Sequence, residues 1–283
     1  MSIVRSGGDE PAEASGRSTP DTCARSRSAA LQFVSGAAIG VLGGMIGLGG
    51  AEFRLPVLIA LFGFAALHAV ILNKAMSLVV VLTALPARLP TVPFTEVAAH
   101  WSVIANLLGG TLLGAWLGAR WATRMRSALL HHILAVLLVL MATVLAWSHF
   151  GRLEALALAP VTRTIVGIVA GIGIGLVAAL MGVAGGELLI PAIVVLFAID
   201  IKLAGSLSLA VSLPTMLVAF ARYSRDQSFV VLRENKRLVL TMAAGSITGT
   251  VAGGFLLGIT PEAVLIPALV ALLLASSIKV WRH

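Results

Sequence analysis

The chain has 283 residues, of which 59% are hydrophobic and only 11% charged. A water-soluble fold of this size needs far more polar surface, so composition excludes a soluble globular protein. The formal net charge of +8 does not point to nucleic acid. The basic residues sit in short clusters between apolar runs, at Arg120/Arg124/Arg126, across Arg222 to Arg237, and at Lys279/Arg282. That is the positive-inside pattern of a bacterial-type inner-membrane protein embedded in the lipid bilayer.

Residues 1–28 are rich in Ser, Gly, Pro and Arg and are predicted to form a disordered cytoplasmic tail. Cys23, the single cysteine, lies there, so the chain offers neither a disulfide framework nor a thiol metal site. Arg25 and Arg27 precede an apolar stretch in the manner of a leader peptide. The stretch runs about 20 residues with no small-x-small cleavage pattern after it, which predicts a first membrane helix.

From there the chain reads as all-α, polytopic and transmembrane, because its apolar runs lack the alternation of a barrel strand. Shifting the sequence by 135 positions aligns 31–148 with 166–283 without a gap. Seven glycines coincide: Gly36/Gly171, Gly40/Gly175, Gly47/Gly182, Gly50/Gly185, Gly110/Gly245, Gly114/Gly249 and Gly118/Gly253. Random placement gives about one such coincidence, so the chain is predicted to be two internal repeats. Glu52/Glu187, Pro56/Pro191 and Ser77/Ser212 match as well. The expected organisation is a tail at 1–28, repeat 1 at 29–148, a linker at 149–165 and repeat 2 at 166–283.

Five apolar segments are predicted per repeat, near 31–50, 52–66, 68–88, 100–120 and 128–148, then near 163–184, 187–199, 202–222, 237–258 and 262–281. The second of each set is short and broken. Charge in equivalent loops is exchanged: Arg120, Arg124 and Arg126 in repeat 1 face only Glu262 in repeat 2. Conversely, Arg222, Arg225, Arg233, Lys236 and Arg237, against Asp226 and Glu234, in repeat 2 answer Arg88 and Glu96 in repeat 1. Corresponding loops on opposite sides of the membrane explain the exchange, predicting inverted repeats with both termini cytoplasmic. The rival is four crossings per repeat with re-entrant short segments, which puts Arg120 to Arg126 outside against the charge rule.

The broken segments carry the candidate site. Glycine and proline interrupt a helix, and freed backbone groups at membrane depth are tolerated only where protein or a watery cavity satisfies them. Paired interruptions at corresponding positions mark a transporter's substrate site. The candidates here are Gly47, Gly49, Gly50 and Pro56 with Gly182, Gly185, Gly186 and Pro191. A helix starting after each glycine pair presents N–H groups suited to an anion. The competing reading is that these glycines serve tight helix packing.

Glu52 and Glu187 each follow a break. They are candidates for proton coupling, or else caps of a half-helix dipole. Arg54, Asn73, Lys74 and Lys202 are candidate anion contacts, or residues that snorkel or pair locally. Ser206, Ser208 and Ser212 either line a pathway or bond helix to helix. The stripes Gly110/Gly114/Gly118 and Gly245/Gly249/Gly253 are predicted packing faces. His68, His100, His131 and His132 lack metal-ligand spacing, and there is no Walker sequence, so neither a metal, a cofactor nor an enzymatic activity is expected.

Gly47-Leu48-Gly49-Gly50 with Pro56, and Gly182-Val183-Ala184-Gly185-Gly186 with Pro191, resemble the two glycine breaks of the TauE/SafE family, the sulfite exporter family. The run from Lys202 to Ser208 is similar to that family's segment after its second break, and the resemblance spans 31–283. It implies secondary transport of small anions such as sulfite, sulfonates or other sulfur oxyanions, usually outward. The alternatives in view are a channel-like anion pore and a transporter of a non-sulfur organic anion.

Overall fold

The computed structural model describes residues 28–46, 50–88, 93–150, 156–224, 229–256 and 262–282, and among these every regular element is a helix. In chain order they are α1 (Ala29–Ile46), α2 (Ala51–Ala60), α3 (Ala66–Arg88), α4 (Phe94–Ala99), α5 (Trp101–Ala122) and α6 (Ser127–Phe150). They continue as α7 (Pro160–Met181), α8 (Gly186–Phe197), α9 (Ile201–Ser224), α10 (Phe229–Glu234), α11 (Lys236–Leu256) and α12 (Glu262–Trp281). Helices α2 to α6 begin 135 residues before α8 to α12, respectively.

Five of the described helices contain spans long and apolar enough to cross a membrane: Ala66–Thr83, Trp101–Ala122, Ser127–Trp147, Pro160–Met181 and Lys202–Tyr223. Across the described helices, exposed side chains such as Val34, Leu82, Val169, Leu240 and Ile278 fit lipid and not water. Trp101, Trp121, Trp147 and Trp281 are exposed near helix ends, where indole rings sit at the membrane–water interface. Short helices α4 and α10 were not anticipated from the sequence. Each has six residues, too few to give a periodic signal, and α4 buries none of them.

Helices α2 and α8 have 10 and 12 residues. At 1.5 Å per residue they extend only about 15–18 Å, roughly half the hydrocarbon thickness. Pro56 and Pro191 occupy the sixth position of each, inside the helix. Lacking an N–H, they cannot bond the carbonyls of Glu52 and Glu187 four residues earlier. Pro160 instead sits in the first turn of α7, where no N–H is needed.

Packing runs across the chain between its earlier and later helices. Helix α1 lies along α11 and α5 along α7; α3 meets α9 and α6 meets α12; α2 touches α12 as α8 touches α6. The largest hydrophobic cluster accordingly mixes Ile39, Leu58, Leu72 and Leu138 with Ala179, Met181, Met242 and Leu273.

The glycine stripes make the two longest contacts possible. A Cβ at Gly110, Gly114 or Gly118 of α5 would meet the carbonyls of Ile168, Ile172 and Leu176 of α7. At Gly245, Gly249 and Gly253 of α11 it would meet those of Phe33, Ala37 and Val41 of α1. Backbones this close gain dispersion contact that lipid does not offer, the main source of helix association in a bilayer.

Candidate functional site

The second break is held by side chains from the first half of the chain. Helix α7 ends on Gly182 at φ 71°, whose N–H reaches the Ala179 carbonyl at 3.2 Å while Val183 N–H reaches that of Ala178 at 3.1 Å. This is a Schellman ending, and it leaves carbonyl oxygens with partial negative charge at the helix end. Lys74 of α3 meets them: its Nζ donates to the carbonyls of Ala178 and Val183, both at 2.8 Å. Ser77, one turn later, donates to the Gly182 carbonyl at 3.3 Å. Tyr223 of α9 donates to the Ala179 carbonyl at 3.0 Å.

Asn73 joins this helix end to the start of α2. Its Nδ2 donates to the Met181 carbonyl at 3.1 Å and the Ala51 carbonyl at 3.0 Å. Its Oδ1 accepts from Arg54 Nη1 at 3.5 Å, and Arg54 also reaches Ser77 Oγ at 3.4 Å. Arg54, Asn73, Lys74 and Ser77 are all 2% exposed or less. Burying an ammonium and a guanidinium is costly unless partners replace water; helix-end carbonyls serve Lys74, and Asn73 and Ser77 serve Arg54.

At the matching positions 135 residues on stand Leu189, Ser208, Leu209 and Ser212. The cationic clamp therefore has no charged counterpart in the later half. Ser208 donates to the Gly205 carbonyl of its own helix at 2.8 Å. The hydroxyls of Ser206 and Ser212 are buried with no hydrogen-bond partner among the described residues.

Helices α2 and α8 both start on a left-handed glycine, Gly50 at φ 67° and Gly185 at φ 84°. Glu52 and Glu187 are the second residue of each helix. Their carboxyl groups lie within hydrogen-bonding reach of one another, and each also reaches its own backbone amide. The two acids thus approach one another from the first turns of α2 and α8. One oxygen of each, Oε2, is buried without a hydrogen-bond partner among the described residues. Arg54 acts electrostatically on Glu52 from two residues along α2. In α2 the first intrahelical bond runs from Arg54 N–H to the Gly50 carbonyl at 3.2 Å, so the amides of residues 51–53 precede the ladder.

Of the residues singled out from the sequence, Glu52, Arg54, Pro56, Asn73 and Lys74 gather with Gly182, Gly185, Gly186 and Glu187 around the second break and the two helix starts. Pro191 lies one turn further along α8 than Glu187. Gly47 and Gly49 lie outside the described residues. Lys202 is exposed at the start of α9, its backbone N–H capped by Asp200 Oδ2 at 2.9 Å.

Ser77 and Tyr223 join the cluster although the sequence did not put them forward as site residues. Ser77 had a usable signal, lying one helical turn beyond Asn73 and Lys74. Among the described residues no group of three or more His, Cys, Asp or Glu is placed to hold a metal ion.

No curated protein and no solved structure gives a match to the chain. The family model described as sulfite exporter TauE/SafE matches it over residues 10–145 and 167–283, nearly the whole length. With its long apolar helices and lipid-suited outer faces, the chain is a multi-pass membrane protein that belongs to the TauE/SafE sulfite exporter family of transporters.

Proposed function

We propose that this protein is a secondary transporter, working as an exporter of small anions of the sulfite, sulfonate or related sulfur-oxyanion class in the cytoplasmic membrane. The observation that carries the reading is the approach of two buried carboxyl groups, Glu52 and Glu187, each from the first turn of a short helix that starts on a left-handed glycine. Exposed N–H groups and aligned dipoles at such termini favour an anion, and discontinuous helices are where transporters place their solutes.

Two inverted halves, 29–148 and 166–283, then move against each other to expose the centre to one side at a time. The shared 135-residue offset of helix starts, the exchanged helix contacts and the exchanged loop charges all support this organisation. Both termini face the cytoplasm in this arrangement. The Glu52–Glu187 pair serves as the proton-coupling site, since an O–H···O bond between two carboxyl groups needs one proton.

The asymmetry of the centre gives the halves different tasks. Lys74, Asn73, Ser77 and Tyr223 fix the second break, so these groups act as scaffold. The unpartnered hydroxyls of Ser206 and Ser212 are available to a solute. Uptake of a panel of small anions into everted vesicles at two pH values tests the proposal. Flux of at least one sulfur oxyanion, abolished by bulky substitution at Gly50, supports it; the absence of any such flux contradicts it. Counterflow in proteoliposomes separates alternating access from a gated pore, which equilibrates anions without exchange.

A further inference from the structure

The anion-suited ends of α2 and α8 are not left open: the protein's own carboxyl groups occupy them. Each glutamate is held against the first turn of its own helix, the position at which a bound anion would collect N–H donors. Helix starts alone do not make a site. The independent observation is Glu52, 2% exposed, whose buried Oε2 accepts no hydrogen bond from the described residues; Oε2 of Glu187 is likewise buried and accepts none. A buried acceptor without a donor is a costly arrangement for a structure to keep if its only purpose is capping.

We propose that Glu52 and Glu187 are tethered stand-ins for the transported anion, so that an anion enters only when a carboxylate takes up a proton and gives up its helix terminus. The inference rests on the anion-transport reading and adds the coupling rule to it. A solute anion and a glutamate carboxylate compete for the same amides. Displacing one negative charge by another keeps the buried charge constant only if the displaced group is neutralised, so anion and proton bind together and travel together. Binding linkage is reciprocal: a proton that favours the anion is itself favoured by the anion.

The surrounding charges leave this exchange to the two glutamates. On α2 itself Arg54 stands beside Glu52. From α3, Lys74 is engaged by the carbonyls of Ala178 and Val183. From α9, the Tyr223 hydroxyl is engaged by Ala179. From α6, His131 Nδ1 is bonded to the Ser127 carbonyl, and from α12, Lys279 is exposed. Arg163 of α7 lies near the Phe197 ring, away from the helix start.

The test is calorimetric titration of the purified full-length protein with methanesulfonate and sulfate, anions that do not themselves titrate between pH 5.5 and 8. Each titration is repeated in buffers of different ionisation enthalpy to count protons. The expected result is uptake approaching one proton per anion bound. Affinity should fall about tenfold per pH unit once the carboxyl pair has lost its proton. Glu52→Gln and Glu187→Gln should flatten that pH dependence, with the wild-type proton count standing alone if either variant fails to fold. Anion binding with no proton uptake and a flat pH profile overturns the stand-in role while leaving anion transport intact. No binding by any anion at any pH, together with no vesicle flux, overturns both.

Discussion

Glu52 and Glu187, 135 positions apart in the chain, lie within hydrogen-bonding reach of one another at the paired starts of two short helices. The 135-position alignment pairs the two residues in sequence, and the fold makes them neighbours. Replacing either by glutamine keeps a hydrogen-bonding side chain of the same shape but removes the exchangeable charge. Glu52→Gln is expected to leave thermal stability within about 1 kcal/mol of the parent, as one hydrogen bond replaces another. Its transport should lose its response to an imposed pH gradient, read as initial rates in proteoliposomes.

Lys74 closes the end of α7 through two 2.8 Å bonds. Lys74→Met leaves the Ala178 and Val183 carbonyls short of a donor and is expected to destabilise the protein by about 2–5 kcal/mol. Lys74→Arg should not restore it, because a planar guanidinium does not fit the place of a compact ammonium. Leu209, at the matching position of the later half, carries no such bonds, so Leu209→Met should change stability by less than about 1.5 kcal/mol. Detergent-solubilised thermal unfolding compares the three.

The glycine stripes predict a graded series. Gly114→Ala and Gly249→Ala each drive a Cβ into a backbone carbonyl, of Ile172 and of Ala37. Backbone cannot yield as a side-chain tip does, and a loss of about 1–3 kcal/mol or more is expected. Gly109→Ala and Gly173→Ala meet no atom within 4 Å. Those two should be neutral or stabilising by up to about 1 kcal/mol through helix propensity. Expression level and unfolding temperature of the four variants measure the difference.

Gly182 and Gly185 hold φ 71° and 84°. Alanine at either position bears left-handed strain of about 1–2 kcal/mol, and at Gly182 it also meets the Val70 carbonyl. Gly182→Ala should therefore melt earlier than Gly185→Ala in the same unfolding assay.

Much of this fold is legible in the sequence because it rests on patterns of side chains. The apolar runs, the paired breaks, the glycine stripes on α5 and α11 and the acids after the breaks all announce themselves by residue type and spacing. The rest depends on main-chain atoms, which one residue string does not display. Lys74 reads as a candidate anion ligand by residue type, while its bonds to carbonyls more than 100 residues away do not show in the sequence. The partners of the glycine stripes were hidden for the same reason, since the α5 stripe packs on α7 and the α11 stripe on α1. The prolines at 56 and 191 fall inside their helices because the fold starts each helix directly after its glycine, five residues earlier.

The most direct measurement is sulfite or sulfonate efflux from proteoliposomes under an imposed pH gradient, comparing the parent with Glu52→Gln and Glu187→Gln. The account predicts anion flux that follows the gradient in the parent and runs without pH response in both variants. Gradient-driven flux that persists unchanged in the variants, or no anion flux in the parent, would contradict it.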